Sequence, residues 1–297
     1  MTHIKTVVET INAHRQLEGG GFEVSRPFPT KGLELLDPFL LLDEMMPTSY
    51  SPGEAIGAPD HPHRGFETVT YVLQGEVEHK DSMGNHDTIS HGEVQWMTAG
   101  AGIVHSEMPS KNIQQNGGTL HGFQLWVNLP KANKMDAPKY QAISDKELQT
   151  IERDGWKAKV VAGKILETQG SALTKTPILY AHISIEPGSS TEFEIDPLLV
   201  NSGIYVFKGS AVVGEKTRID SQQLGVMDKE SGAIKINNPS SKESTELLVM
   251  AGTPLDEPVA RSGPFVMNTR TELMEAFRDY SEGKMGKIKV SGARSKN

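Results

Sequence analysis

The stretch Asp60-His61-Pro62-His63-Arg64-Gly65-Phe66-Glu67-Thr68-Val69-Thr70-Tyr71-Val72-Leu73-Gln74-Gly75 decides the reading of this chain. From Phe66 to Leu73, β-branched and aromatic residues crowd together, and Gly75 closes the run. That is the pattern of a strand and the turn after it. Ahead of it, His61 and His63 stand two apart. Side chains alternate along extended backbone, so both imidazoles leave the same face, about 7 Å apart, and can converge on one ion. Runs of the same kind lie at Glu76 to His79, Val94 to Thr98, His121 to Leu129, Ile178 to Ile185, Ile204 to Phe207 and Glu246 to Met250. Their number and spacing predict an all-β protein of sandwich or barrel architecture.

The run ending at Gly75 also returns later. Tyr71-Val72-Leu73-Gln74-Gly75 is matched in kind by Tyr205-Val206-Phe207-Lys208-Gly209, 134 positions on. Two copies of one β-unit would account for the length. Between them, Leu129-Pro130-Lys131-Ala132-Asn133-Lys134 and Asp136-Ala137-Pro138 break the strand pattern. The expected division is therefore a first barrel over 1–130, a linker over 131–148, a second barrel over 149–284 and a basic tail over 285–297. Lys284, Lys287, Lys289, Arg294 and Lys296 form this basic C-terminal stretch, which reads as a solvated arm in preference to a binding arm. Two short helices are expected. One runs near Asp145 to Glu152. The other follows Thr269-Arg270-Thr271-Glu272, which has capping-box form, with Leu273, Phe277 and Tyr280 as its core stripe.

Composition narrows the function. The 297 residues are 36% hydrophobic and 23% charged with 29 Gly and 17 Pro, which excludes a coiled coil, a collagen-like fibre and a wholly disordered chain. A net charge of -8 argues against direct nucleic-acid binding, which needs clustered Lys and Arg. No apolar run approaches a membrane span, the best being Pro38-Phe39-Leu40-Leu41-Leu42, and no signal-peptide pattern opens the chain. A cytoplasmic protein is expected, with a nuclear location open if the source is eukaryotic. There is no cysteine, so any metal must be held by His and carboxylates.

A second pair supplies the other half of such a site. His105 and Glu107 repeat the two-residue spacing in Gly100-Ala101-Gly102-Ile103-Val104-His105-Ser106-Glu107. A hairpin around Asp81-Ser82-Met83-Gly84-Asn85, and then the glycines, would bring the two pairs together inside a barrel. His61, His63, His105 and Glu107 are thus the expected metal ligands. Three imidazoles and one carboxylate around a divalent ion leave two octahedral positions for solvent, substrate or dioxygen. Fe(II) fits best, with Mn, Co, Ni, Cu and Zn open. Glu67 shares the parity of His61 and His63, so it reads either as a cavity-facing partner or base or as a rim charge paired with Arg64. Gln124 and Trp126 share a face and are expected to line the barrel. His79, His86 and His91 flank the hairpin and are expected at the surface, His121 in the core. In the second half the repeat offset puts Ile195 and Pro197 where His61 and His63 stand, so that barrel is expected to be free of metal.

Two long strings, His61-Pro62-His63-Arg64-Gly65-Phe66-Glu67-Thr68-Val69 and Gln95-Trp96-Met97-Thr98-Ala99-Gly100-Ala101-Gly102-Ile103-Val104-His105-Ser106-Glu107-Met108-Pro109, closely resemble the pirin family of the cupin superfamily. Gly252-Thr253-Pro254-Leu255-Asp256-Glu257-Pro258-Val259 and Gly263-Pro264-Phe265-Val266-Met267-Asn268-Thr269 extend the likeness through most of the chain. The resemblance implies two tandem jelly-roll barrels, with one iron in the first held by residues that correspond to His61, His63, His105 and Glu107. It also implies quercetin 2,3-dioxygenation, in which O2 opens the flavonol's heterocycle and carbon monoxide leaves. Glu107 would act as the group that accepts the substrate's proton. The alternative it implies is a non-catalytic, iron-dependent redox sensor acting through a protein partner.

Overall fold

Two seven-stranded sheets face each other across the middle of the computed structural model, which describes residues 2–289. The first carries Phe66–Gln74 near its centre, flanked by Val94–Thr98 and Gly118–Asn128, with Phe39–Tyr50, Phe22–Phe28 and His14–Glu18 beyond. A four-stranded sheet of Ala58–His63, Ile103–Pro109, Glu76–Asp81 and His86–Ser90 closes it into a jelly roll. The second half repeats the plan. Asn201–Lys208 takes the place of Phe66–Gln74, between Gln223–Met227 and Thr245–Gly252, and a sheet built on Ser190–Glu194 and Ala233–Asn237 closes that barrel.

Register bears out the internal repeat. Tyr71 pairs with Phe123, which pairs in turn with Glu44. Tyr205 pairs with Leu248, which pairs with His182. The Tyr71 hydroxyl then reaches across to His182 Nδ1 at 2.9 Å, and Tyr205 donates back to Glu44 Oε2 at 2.7 Å. Between these reciprocal bonds lie Phe39, Val69, Trp96, Phe123 and Leu125 from one half and Tyr180, Leu224 and Met250 from the other. Each such buried side chain contributes about 1.5–3 kcal/mol, so the two halves share one continuous core. Ile183, Phe193, Val213, Ile234 and Ile236 fill the second barrel itself.

The chain does not divide at the linker as expected. Val7–Asn12 forms the edge strand of the second half's sheet, against Gln223–Met227. Lys139–Ile143, expected as linker, is the edge strand of the first half's sheet, against Val94–Thr98. The opening strand of the first half thus joins the second half's sheet, and a strand of the expected linker joins the first. After the second barrel, Phe265–Met267 and the helix Arg270–Ser281 return to the first half, where Phe265, Leu273 and Ala276 pack on Val104.

The capping box is formed. The Thr269 hydroxyl accepts from Glu272 N at 3.2 Å, and the Glu272 carboxylate accepts from Thr269 N at 2.8 Å. The buried face is Leu273 and Ala276, whereas Phe277 and Tyr280 stay partly exposed, with Phe277 edge-on to Phe265. No helix forms near Asp145 to Glu152. Glu147 Oε2 caps a turn at Ser144, and Gln149–Arg153 is drawn into the second sheet beside Trp156–Ala162. The short helix Lys111–Asn116, capped by Ser110, was not anticipated. The start of the expected tail is docked rather than free. Met285 is buried, its carbonyl accepts from Ser82 Oγ at 2.8 Å, and a Cβ on Gly102 would strike its side chain. Arg294 and Lys296 lie outside the described residues. Among those, no helix is long and apolar enough to cross a membrane.

Candidate metal centre

His61 and His63 end the strand Ala58–His63, and His105 lies opposite His61 on the antiparallel strand Ile103–Pro109. Alternation points all three into the first barrel. Their ring centroids are 4.7, 4.3 and 4.9 Å apart, and one nitrogen from each falls within 4.8 Å of the others.

The proton positions follow from the outer partners. His61 Nδ1 faces the carbonyl of Pro59 at 2.7 Å, and His63 Nδ1 faces the carbonyl of Pro264 at 3.2 Å. A carbonyl only accepts, so both Nδ1 atoms carry hydrogen and both Nε2 atoms present lone pairs. Those two Nε2 atoms point at each other 3.1 Å apart. Burial and the neighbouring His61 push the pKa of His63 down to about 3, and burial with the surrounding histidines holds His105 well below its ordinary value, so His63 and His105 both stay neutral. His105 is fully buried with both ring nitrogens unpartnered. Converging lone pairs and an orphaned buried imidazole cost stability unless a cation binds among them. The residues fit a divalent metal.

Glu107 lies outside that group of three. The ladder between its strand and Ala58–His63 shifts register between His105 and Glu107, and the carboxylate is held from the other side. Thr70 Oγ1 and Gln95 Nε2 both donate to its Oε1 at 2.5 Å, which leaves Oε2 with one long contact from Gln124 Nε2 at 3.5 Å. Glu107 and Gln124 line the same cavity as His61 and His63, about 500 Å³ in volume, with Trp126 in its wall. Trp126 packs on Phe66 at 4.3 Å and edge-on to His63 at 5.2 Å, and the Arg261 guanidinium lies over its outer face at 4.9 Å.

Glu67 is not at the site. The strand ends at His63 and a new one begins at Phe66, so parity does not carry across the turn at Gly65, whose φ is +89°. Phe66 packs on His63 and Thr70 reaches Glu107, which puts Glu67 on the opposite face. There it accepts from Thr98 Oγ1 at 2.6 Å, and burial raises its pKa. Nor is it a rim charge on Arg64. That guanidinium is buried, donating to the Ala101 carbonyl at 2.6 Å and to Asp279 at 3.0 Å.

His79 is likewise not at the surface. It is fully buried, 5.4 Å from the His105 ring, with Nε2 at 3.2 Å from Asp81 and Tyr140 stacked on it at 4.8 Å. Alternation in Glu76-Val77-Glu78-His79-Lys80-Asp81 was the available signal, since the three long charged residues take the outward positions. His86 and His91 are exposed as expected, and His121, partly buried, bonds Glu44 at 3.0 Å.

Residues 21–127 match the family model for pirin, and residues 180–286 match that for the pirin C-terminal cupin domain. A pirin-like protein of Solanum lycopersicum is 41% identical over 284 residues, covering 95% of this chain and 93% of that protein. Pirin of Homo sapiens is 38% identical over 286 residues, 95% and 94% of the two chains. A crystal structure of quercetin 2,3-dioxygenase from Acinetobacter baumannii superposes with a TM-score of 0.90 at 38% identity, covering 97% of this chain and all of that one. On these matches, and with two jelly-roll barrels in tandem, the chain belongs to the pirin family.

Proposed function

We propose that the first barrel holds one divalent metal, Fe(II) for preference, on His61, His63 and His105, with Glu107 Oε2 as the fourth donor, and that the centre oxidises a flavonol such as quercetin with O2. The observation that carries this reading is the 3.1 Å approach of two imidazole lone pairs beside a cavity large enough for a fused-ring ligand. The similarity to the quercetin 2,3-dioxygenase of Acinetobacter baumannii supports the substrate class. When bound, the metal supplies Lewis acidity toward an enolate oxygen and a route for electrons to O2.

The protein's own part is to place and desolvate the substrate. Trp126, held from behind by the buried Phe66, and Leu41 and Met45 give the cavity an apolar side against which a flavonol can pack. Thr70 and Gln95 donate to Oε1 of Glu107 and so orient the carboxylate that takes the proton of the flavonol 3-hydroxyl. The overall change balances without an external reductant: two carbon–carbon bonds at C3 break, both oxygen atoms of O2 stay in the opened product, and C3 leaves as CO.

The test is anaerobic loading with Fe(II), followed by measurement of O2 uptake and CO release with quercetin. One CO per O2, above the rate with free iron, supports the reading. Ferrous protein that gives no CO above free iron overturns it and leaves the iron-dependent interaction role, which predicts a partner that distinguishes ferrous from ferric protein.

A further inference from the structure

The alternation that aims the ligands inward does not stop at the metal. Beyond Glu107 the next inward position of its strand is Pro109; beyond Thr70 it is Val72; and back from Gln124, past Gly122 and a register shift, lies Leu120. Thr70, Glu107 and Gln124 therefore form a belt across the barrel, the Thr70 hydroxyl donating to Glu107 Oε1 at 2.5 Å and lying 2.7 Å from the Gln124 side-chain amide. On one side are the imidazoles and the large cavity. On the other is a second cavity of about 50 Å³, walled by Met45, Val72, Val77, Met108 and Leu120. Phe22, Met45, Glu107 and Gln124 border both spaces. The outer rim of this space includes Tyr50 and Ile56, the latter 39% exposed, whereas Trp126 and Arg261 line only the larger cavity.

Size and polarity together select an occupant. A flavonol needs a pocket of roughly 300 Å³ or more, so the small cavity excludes it. Water is held in a buried space by two to four polar partners, whereas a small dry cavity lined by aliphatic groups takes up apolar atoms such as xenon. Here Thr70 and Glu107 Oε1 at the inner end are engaged within the belt, and most of the residues lining the rest of the space are apolar. Resting on the reading that the centre consumes O2, we propose that this compartment is a dioxygen antechamber, by which the gas reaches the Glu107 side of the metal separately from the flavonol.

Two probes test it, neither requiring turnover. Crystals under xenon are expected to show one atom between Val77, Leu120 and Met45. Leu120→Phe, from one wall, and Val77→Phe, from the opposite wall, should each remove it. In Fe(II)-loaded protein, each substitution should slow nitric oxide binding about fivefold or more while metal content is unchanged, and should raise KM for O2 by a similar factor without moving KM for the flavonol. Absence of xenon from the wild-type compartment, or an unchanged nitric oxide rate in a folded variant without xenon, overturns the proposal. The xenon result stands even if neither variant folds. A wild-type protein that takes up xenon and nitric oxide but releases no CO would instead overturn the dioxygenase reading alone.

Discussion

His63 Nδ1 and the carbonyl oxygen of Pro264 lie 3.2 Å apart although 201 positions separate them. The tautomer of a proposed ligand in the first barrel is therefore set by a segment that follows the second. Gly65 fixes that segment's approach. Its φ is +89°, and a Cβ there would come within 2.0 Å of the Val266 carbonyl oxygen. Gly65→Ala should push the segment off His63, lowering metal affinity about 10–100-fold and stability by about 1–3 kcal/mol. Metal titration and denaturant unfolding check this. Unchanged affinity would mean that the carbonyl plays no part in ligation.

His105→Ala removes an imidazole whose two nitrogens are unpartnered and buried. Metal content should fall to roughly a tenth or less. In thermal unfolding, added metal should raise the Tm of the wild type but not that of the variant, because only a native-state ligand stabilises. A variant that still gains stability from metal would contradict the assignment.

Glu107→Gln keeps the shape and the bonds at Oε1 but removes the carboxylate charge and its basicity. Turnover of a flavonol should drop by about 10²-fold or more. Steady-state rates against quercetin, with the metal content of each sample measured, decide the matter. Activity within a few-fold of the wild type would remove Glu107 from the chemistry.

Lys134 is buried, with Nζ donating to the carbonyls of Gly65 and Val266 and to Asn128 Oδ1. Burial lowers its pKa from 10.5 to about 8. Between those values the unfolded chain binds more protons than the native one, so this group's contribution makes stability rise with pH across that window, by up to about 3 kcal/mol. Lys134→Met should abolish the rise. It should also cost about 1–3 kcal/mol at every pH, through the acceptors left without a donor. Denaturant midpoints of both proteins between pH 7.5 and 9.5 provide the comparison, and parallel curves would count against a lowered amine.

Glu67 makes the opposite case. Burial raises its pKa, so its contribution favours the native state below the unfolded carboxyl value of 4.5 and is lost as pH rises through the folded value. Glu67→Gln should leave metal content and turnover nearly unchanged, and at pH 7 it should not lower Tm. A loss of metal would return Glu67 to the site.

His61, His63 and His105 were legible because alternation along a strand is a local rule that the pairing of Ala58–His63 with Ile103–Pro109 obeys. Glu67 was misplaced by applying the same rule across Gly65, where one strand stops and another begins. The placement of Val7–Asn12 and Lys139–Ile143 had no local signal, since a half-buried edge strand reads alike whichever sheet it joins. Pro264 was beyond sequence reasoning for a different reason. It contributes a backbone carbonyl, which every residue type possesses.

The most direct test of the centre is anomalous diffraction at the metal's absorption edge from crystals of protein loaded with one equivalent of Fe(II) or Co(II). The account predicts a single peak about 2.0–2.2 Å from a nitrogen of each of His61, His63 and His105, with His61 and His63 still bonded through Nδ1 to Pro59 and Pro264. No peak among the three imidazoles, or a peak bound to other residues, would contradict it.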